Sequence, residues 1–138
     1  MSPELQQRLF AAYPEIFANR DDRMYAISWG ITCFDGWFML IDCLCARVQT
    51  MVAKEGLGPH RIAQVKEKYG ALTIYWNHAA DARVQEMTWL AKDVSLHMCE
   101  ICGAPGSSEE SQGWWHTRCD AHRGLRAPPH PDKSLGNA

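Results

Sequence analysis

The strongest chemical signal in the sequence is a pair of short motifs, Cys99-x2-Cys102 and, after sixteen intervening residues, Cys119-x2-His122. Two cysteines at this spacing can turn both sulfur atoms toward one point, and the second pair can complete a tetrahedron. Three thiolates and one imidazole form a ligand set that suits zinc. The spacing is also close to that of paired-knuckle zinc sites. The sequence therefore predicts a zinc ion held by these four residues.

The fourth ligand has two alternatives, His97 and His116. We favour His122 because Cys-x2-His repeats the knuckle spacing, whereas His116 lies three residues before Cys119. Four protein ligands leave no coordination position for water, which is typical of a structural rather than a catalytic zinc site. Glu100 lies beside a ligand, and we interpret it as a solvated turn residue rather than a general base.

Length and composition limit the classes of function. A chain of 138 residues is long enough for one domain with a real core. With 14 basic and 16 acidic side chains the net charge is −2, so there is no overall attraction to nucleic acid or to anionic membranes. We find no apolar run long enough to cross a membrane. Six cysteines without a signal peptide predict a reducing cytoplasm and metal binding rather than disulfides.

The hydrophobic pattern predicts an α+β fold in a single domain over residues 1–126. The predicted elements are an N-terminal helix starting at residue 3, a central buried helix over 35–54, a β-hairpin over 61–77, a third helix over 79–98 and a zinc module at about 97–126. Residues 127–138 are rich in proline, glycine and polar side chains, which predicts a disordered tail.

Three local expectations can be compared directly with the structure. Asp35 is a good N-cap for the central helix. In the third helix, apolar residues at three- and four-residue spacing predict the buried face, namely Val84, Met87, Leu90, Ala91, Val94 and Met98. The polar stretch 103–113 predicts a loop between the two knuckles.

Several motifs occur together in a fixed order. They are Tyr13-Pro14-Glu15-Ile16-Phe17, Asp35-Gly36-Trp37, Gln64-Val65-Lys66-Glu67-Lys68-Tyr69-Gly70, Cys99-Glu100-x-Cys102-Gly103-Ala104-Pro105-Gly106, and Gly113-Trp114 before Cys119-Asp120-x-His122. This set, spanning 13–122, resembles a group of small bacteriophage and prophage proteins that have no established activity. The resemblance implies a phage accessory protein acting in the cytoplasm of the bacterial host. Such proteins often inhibit host functions, including anti-CRISPR and other anti-defence proteins.

We therefore expect a non-enzymatic protein that binds and modulates a bacterial host protein, with no membrane partner and an undetermined oligomeric state. The alternative is a nucleic-acid-binding zinc protein. Arginines contact phosphate and aromatic side chains stack on bases. The residues that would do this are Arg118, Arg123, Arg126, Trp114 and Trp115.

Enzymatic interpretations find less support. An HNH-like nuclease needs a histidine base and further metal ligands, and His116 is the one histidine between the knuckles. Ser28, His60 and Asp81 supply the residue types of a hydrolytic triad, but no G-x-S-x-G turn accompanies them. The remaining cysteines, Cys33, Cys43 and Cys45, are interpreted as small apolar residues.

Overall fold

The computed structural model describes residues 1–125 and confirms the α+β class. Three helices and two separate two-stranded antiparallel sheets make up the fold. They are α1 (Pro3–Ala12), α2 (Phe38–Lys54), β1 (Ile62–Lys68), β2 (Ala71–Trp76), α3 (Ala82–Ser95), β3 (Ser107–Ser111) and β4 (Trp114–Arg118). Arg126 and the predicted disordered tail lie outside the described residues.

The start of α1 is tied to the start of α2. Ser2 occupies the N-cap position of α1, but its side chain makes no capping hydrogen bond. Its backbone N–H instead donates to Asp35 Oδ1 at 2.6 Å. The expectation that Asp35 caps the central helix is therefore wrong. Asp35 opens a short 3-10 turn, Asp35–Trp37, and Trp37 is the residue before α2.

The central helix α2 is the main buried element. Its inward face consists of Phe38, Ile41, Leu44, Cys45, Val48 and Met51, all of which are buried. With the preceding turn it forms a segment of 20 residues, Asp35–Lys54, with a mean hydropathy of 1.2. Among residues 1–125, one helix is long and apolar enough to cross a membrane by length and composition, and it is this segment. The expectation that the sequence has no apolar run of that length is therefore corrected. A core helix of a soluble protein meets the same criterion.

The β1–β2 hairpin forms as predicted. Its turn residues, Tyr69 and Gly70, both have positive φ angles, 52° and 76°, as a two-residue type I′ turn requires. Leu72 and Ile74 are buried, whereas Tyr75 is exposed, so alternate residues of β2 face the core and the solvent. Thr32 extends the sheet on the far side of β1 through one parallel bridge.

Helix α3 is rotated relative to the prediction. Its buried residues are Val84, Thr88, Ala91 and Ser95, whereas Leu90 is 62% exposed and Val94 is also exposed. Two hydroxyls explain the difference because both are satisfied at the interface with β2. Thr88 Oγ1 accepts from Trp76 Nε1 at 3.0 Å, and Ser95 Oγ accepts from the Leu72 N–H at 2.8 Å.

The stretch between the knuckles is a second hairpin rather than a loop. Strands β3 and β4 pair in antiparallel register from Ser107–Arg118 to Ser111–Trp114. Gln112 and Gly113 form the turn, with φ angles of 54° and 83°. The polar composition of β3 concealed it from the sequence pattern because neither face of this strand contributes to a large core.

Candidate metal centre

Four side chains converge at the base of the β3–β4 hairpin. The Sγ atoms of Cys99, Cys102 and Cys119 and a ring nitrogen of His122 all lie within 4.8 Å of one another. His122 Nδ1 is 3.5 Å from Cys99 Sγ and 3.3 Å from Cys119 Sγ. The sulfur atoms of Cys102 and Cys119 are 3.8 Å apart. These are the four predicted residues, and together they form a site that could hold a metal ion.

Local backbone turns bring each pair of ligands together. In the first knuckle, the Gly103 N–H donates to the carbonyl oxygen of Cys99 at 2.8 Å, and Gly103 has a φ of 78°. Glycine adopts this conformation without steric cost. In the second knuckle, the N–H groups of His122 and Arg123 both donate to the carbonyl oxygen of Cys119. The strands β3 and β4 then place the two knuckles side by side.

The environment of Cys99 favours its ionised form. Desolvation raises the pKa of this buried thiol, but hydrogen bonds from the backbone of Cys119, Cys102 and Ile101 oppose it. The net result lowers the pKa of Cys99 to about 6. Because the thiolate is the form that binds metal, this sulfur is prepared for coordination.

The structure selects His122 over both alternative histidines. The side chain of His116 turns toward Glu100, with Nδ1 3.6 Å from Oε1. His97 is exposed, and its carbonyl oxygen accepts the Gly106 N–H at 2.9 Å. Neither histidine belongs to the cluster of four ligands. Partial burial and the nearby Arg118 lower the pKa of His116 below its usual value.

A buried ion pair joins the two residues that adjoin ligands in the sequence, Glu100 after Cys99 and Arg118 before Cys119. Glu100 and Arg118 are 1% and 2% exposed, and Arg118 Nε donates to Glu100 Oε1 at 3.1 Å. Arg118 Nη1 also donates to the carbonyl oxygen of Leu125. Burial raises the pKa of Glu100, and the guanidinium of Arg118 opposes that rise. The interpretation of Glu100 as a solvated turn residue is therefore wrong, and Arg118 is not placed to contact phosphate.

The module is attached to the core by hydrogen bonds from several elements. Trp37 Nε1 donates to the carbonyl oxygen of Met98 at 2.9 Å. Thr117 Oγ1 donates to the carbonyl oxygen of Gly70 at 2.6 Å, which joins β4 to the turn of the first hairpin. The Glu100 N–H donates to the carbonyl oxygen of Thr117 at 2.8 Å, which joins the first knuckle to β4.

The residues predicted for nucleic-acid binding differ in their exposure and in their charged neighbours. Trp114 and Trp115 are exposed on β4. Arg123 is on the surface, but Glu109 and Asp120 lie 3.5 Å from its guanidinium. Arg126 lies outside the described residues. The set therefore offers two exposed aromatic rings and one arginine that already has acidic neighbours.

The other chemical candidates are not brought together as sites. Asp81 caps α3 by accepting the Arg83 N–H, and His60 Nε2 accepts the Asp81 N–H. Cys33 and Cys45 are buried and Cys43 is exposed. Burial raises the pKa of Cys33 to about 12, so this thiol is protonated at neutral pH.

Sequence reasoning missed the Glu100–Arg118 pair and the contact between the two hairpins. The knuckle spacing gave no signal for the pair, because a buried carboxylate and guanidinium eighteen residues apart are adjacent only after β3 and β4 have paired.

Comparisons with family models, with curated proteins and with solved structures find no match for this chain.

Proposed function

We propose that this chain is a non-enzymatic, zinc-stabilised protein of a bacteriophage or prophage that binds and modulates a bacterial host protein in the cytoplasm. Inhibition of a host defence system is the most specific form of this proposal. The phage context comes from the resemblance of the ordered motifs. The non-enzymatic part is supported by the four protein ligands, which leave no coordination position for water. The binding part is supported by the exposed aromatic residues near these ligands.

Three of the separations between ligand atoms match those of a tetrahedral zinc site. A tetrahedral zinc ion with bonds of about 2.3 Å to sulfur and about 2.0 Å to nitrogen places two sulfurs about 3.8 Å apart and sulfur about 3.5 Å from nitrogen. The observed separations are 3.8 Å for Cys102 to Cys119 and 3.5 and 3.3 Å for His122 to Cys99 and Cys119. Three soft thiolates with one imidazole also favour zinc over calcium or magnesium, which prefer oxygen.

A structural role follows from the number of protein ligands. Catalytic zinc keeps one position open for water or substrate, whereas the four side chains clustered here could fill every position of a tetrahedral site. The carboxylate that follows Cys99 in the sequence, Glu100, is buried and paired with Arg118. The metal therefore holds two knuckles together, and the function must lie on the surface that this scaffold presents.

That surface includes two large aromatic side chains, Tyr69 and Trp115, which we call the hairpin aromatic surface. Both are exposed, Tyr69 at 74% and Trp115 at 46%. The two hairpins meet here, since a Cβ on Gly70 would lie 3.4 Å from Trp115 Cβ. Tryptophan and tyrosine are the residue types that most often dominate protein–protein binding energy. Lys68 Nζ lies 5.7 Å from the centre of the Tyr69 ring.

Nucleic-acid binding is the second candidate because Trp114 and Trp115 are exposed. The charges favour it less. Arg118 is buried, and Arg123 has Glu109 and Asp120 as neighbours. A protein partner that contacts the aromatic rings requires no phosphate-binding arginines.

The test is recovery of a partner from bacterial lysate with the zinc-loaded full chain, with and without nuclease treatment. We expect one host protein near stoichiometry in both samples. We also expect its recovery to fall at least about tenfold for the double variant Tyr69→Ala, Trp115→Ala, because hot-spot residues are each worth about 2 kcal/mol or more. Met24→Ala is the control, since Met24 is 88% exposed on a different segment. Recovery that disappears after nuclease treatment would contradict the proposal and favour nucleic-acid binding.

A further inference from the structure

A groove of about 360 Å³ lies between β2 and α3. None of its described lining residues belongs to the metal centre or to the hairpin aromatic surface. Five consecutive residues of β2, Leu72 to Trp76, line one wall. Gln85, Trp89 and Lys92 of α3 line the other. Because consecutive residues of a strand point to alternating faces, a wall that includes all of them follows the backbone edge of β2.

The hydrogen bonds of β1 fix which backbone groups of β2 face this groove. Thr32 bonds the Val65 carbonyl and the Glu67 N–H, so these two residues direct their backbone groups away from β2. Lys66, between them, therefore faces Thr73. It follows that Leu72 and Ile74 direct their N–H and C=O groups outward, as the bond from the Leu72 N–H to Ser95 Oγ confirms.

Helix α3 satisfies only one end of this edge. Ser95 accepts the N–H of Leu72. In the part of the chain that the structure describes, no residue bonds the outward-facing N–H and C=O groups of Ile74. The Thr73 hydroxyl, which lines the same groove, is buried and has no hydrogen-bond partner among residues 1–125. The Thr73 hydroxyl and the outward backbone groups of Ile74 are therefore available to bond an added segment.

Natural edge strands are protected by charged side chains, proline, bulges or a covering helix or loop. Helix α3 covers this edge at Leu72, whose N–H donates to Ser95 Oγ, but a groove remains beside Ile74. The β2 sequence Ala-Leu-Thr-Ile-Tyr-Trp has no charge and no proline. Its one register irregularity lies at the Ile62–Gln64 end of β1 and does not interrupt Leu72 to Ile74. The middle of β2 is therefore competent to pair with another extended segment.

The charges around the groove select the kind of segment. Its described lining residues include one cationic side chain, Lys92, and one histidine, His78, but no Asp or Glu. Lys66 Nζ lies 5.4 Å from the ring of Tyr75, which lines the groove as well. This positive bias is complementary to an acidic segment, in a chain whose net charge is −2.

We propose that this groove receives an extended, acidic segment of the host protein, which pairs with the outer edge of β2 as an added strand. This inference rests on the proposed function in that the occupant belongs to a protein partner. Backbone hydrogen bonds to Ile74 supply affinity, and the alternate side chains of the segment contact Trp89 and the cationic Lys92, which supplies selectivity.

The experiment selects random twelve-residue peptides against the zinc-loaded full chain, after which the enriched peptides are synthesised and titrated. We expect enriched peptides to alternate apolar residues with Asp or Glu. Trp89→Glu should weaken their binding at least tenfold, and Lys92→Glu should weaken it several-fold. Leu90→Glu is the matched control, because Leu90 is the neighbouring residue and equally exposed but does not line the groove. Its affinity should stay within twofold of the wild type.

Amide hydrogen exchange tests the strand pairing itself. The bound peptide should slow exchange at the Ile74 N–H, whereas the Thr73 N–H is already bonded within the hairpin and should change less. No enriched peptide, equal binding to wild type and Trp89→Glu, or unchanged exchange at Ile74 would each overturn the groove assignment. Thermal melting of each variant checks that the fold is retained, and Lys92→Glu decides the matter if Trp89→Glu unfolds.

Failure here and failure of the proposed function give different results. If the full-length host protein binds wild type and Trp89→Glu equally, the groove assignment is overturned and the proposed function stands. If acidic peptides bind the groove but no host protein is retained from lysate, the groove assignment is supported and host-protein binding is not.

Discussion

The backbone of Gly36 lies directly against that of Cys99. A Cβ on Gly36 would be 2.1 Å from the Cys99 carbonyl oxygen, and the Gly36 N–H donates to the Glu100 carbonyl oxygen at 2.9 Å. From the other side, a Cβ on Gly103 would lie 3.0 Å from the Gly36 carbonyl oxygen. The start of the central helix and the first knuckle therefore meet with no room for a side chain between them. This contact is where the metal-binding module joins the core.

The first prediction concerns this contact. Gly36→Ala should reduce the free energy of unfolding by about 1–3 kcal/mol or more, because the added methyl group meets backbone that cannot move freely. For a domain of this size the loss corresponds to roughly 4–12 °C in Tm. Gly58→Ala is the control, since a Cβ there has no atom within 4 Å. Thermal unfolding of the zinc-loaded variants measures both, and equal melting temperatures would show that the knuckle is not docked on Gly36.

The elements that could be predicted from the sequence are those whose periodicity is strong and local. The end of α2 at Lys54 and the position of the β1–β2 hairpin within 61–77 could both be predicted from local hydrophobic spacing. The four metal ligands could likewise be predicted because spacing within each knuckle is a local property.

The errors arise where the tertiary context decides. On α3, the hydroxyls of Thr88 and Ser95 turn a polar-looking face inward because Trp76 and Leu72 supply donors for them. Strand β3 was hidden by its serines and glutamates, since pairing with β4 rather than burial defines it. A hydrophobic pattern registers burial of apolar groups and does not register polar groups that find partners across the fold.

The second prediction tests the metal. Cys102→Ser should lose bound zinc and lower Tm, because removing one thiolate leaves three ligands and a small module with little core of its own. Cys43→Ser is the matched control, since both cysteines are exposed but Cys43 lies on α2 outside the cluster. Zinc content by elemental analysis and melting of both variants give the answer. One zinc per chain and unchanged melting in Cys102→Ser would contradict the assignment.

The third prediction uses the reactivity of all six cysteines. In the zinc-loaded protein at pH 8, iodoacetamide should label Cys43 alone at an appreciable rate, because the three ligands are coordinated and the other two are buried. Burial raises the pKa of Cys33 to about 12, so this thiol is protonated at pH 8 in the folded protein. After a chelator removes the metal, iodoacetamide should also label the three ligand cysteines. After denaturation it should label Cys33 and Cys45 as well.

Peptide mass spectrometry identifies the labelled positions. Labelling of Cys102, which is exposed, as fast as Cys43 before chelation would contradict metal coordination. Labelling of Cys33 in the folded protein would contradict its burial at the core.

The last prediction concerns the buried pair that joins the first knuckle to β4. Glu100→Gln preserves the shape of the side chain but leaves the Arg118 guanidinium, 2% exposed, without a countercharge. Removing one partner of a buried ion pair typically costs about 3–5 kcal/mol. Arg123→Ala is the control, because Arg123 is exposed and its contacts with Glu109 and Asp120 are surface ion pairs worth about 1 kcal/mol or less.

Denaturant unfolding at constant zinc and pH 7 separates the two costs. We expect a shift in the midpoint several times larger for Glu100→Gln than for Arg123→Ala. We also expect weaker zinc binding in Glu100→Gln, measured by competition with a chromogenic chelator, because Glu100 lies between two ligands of the first knuckle. Equal midpoints for the two variants would show that the Glu100–Arg118 pair does not stabilise the junction between the first knuckle and β4.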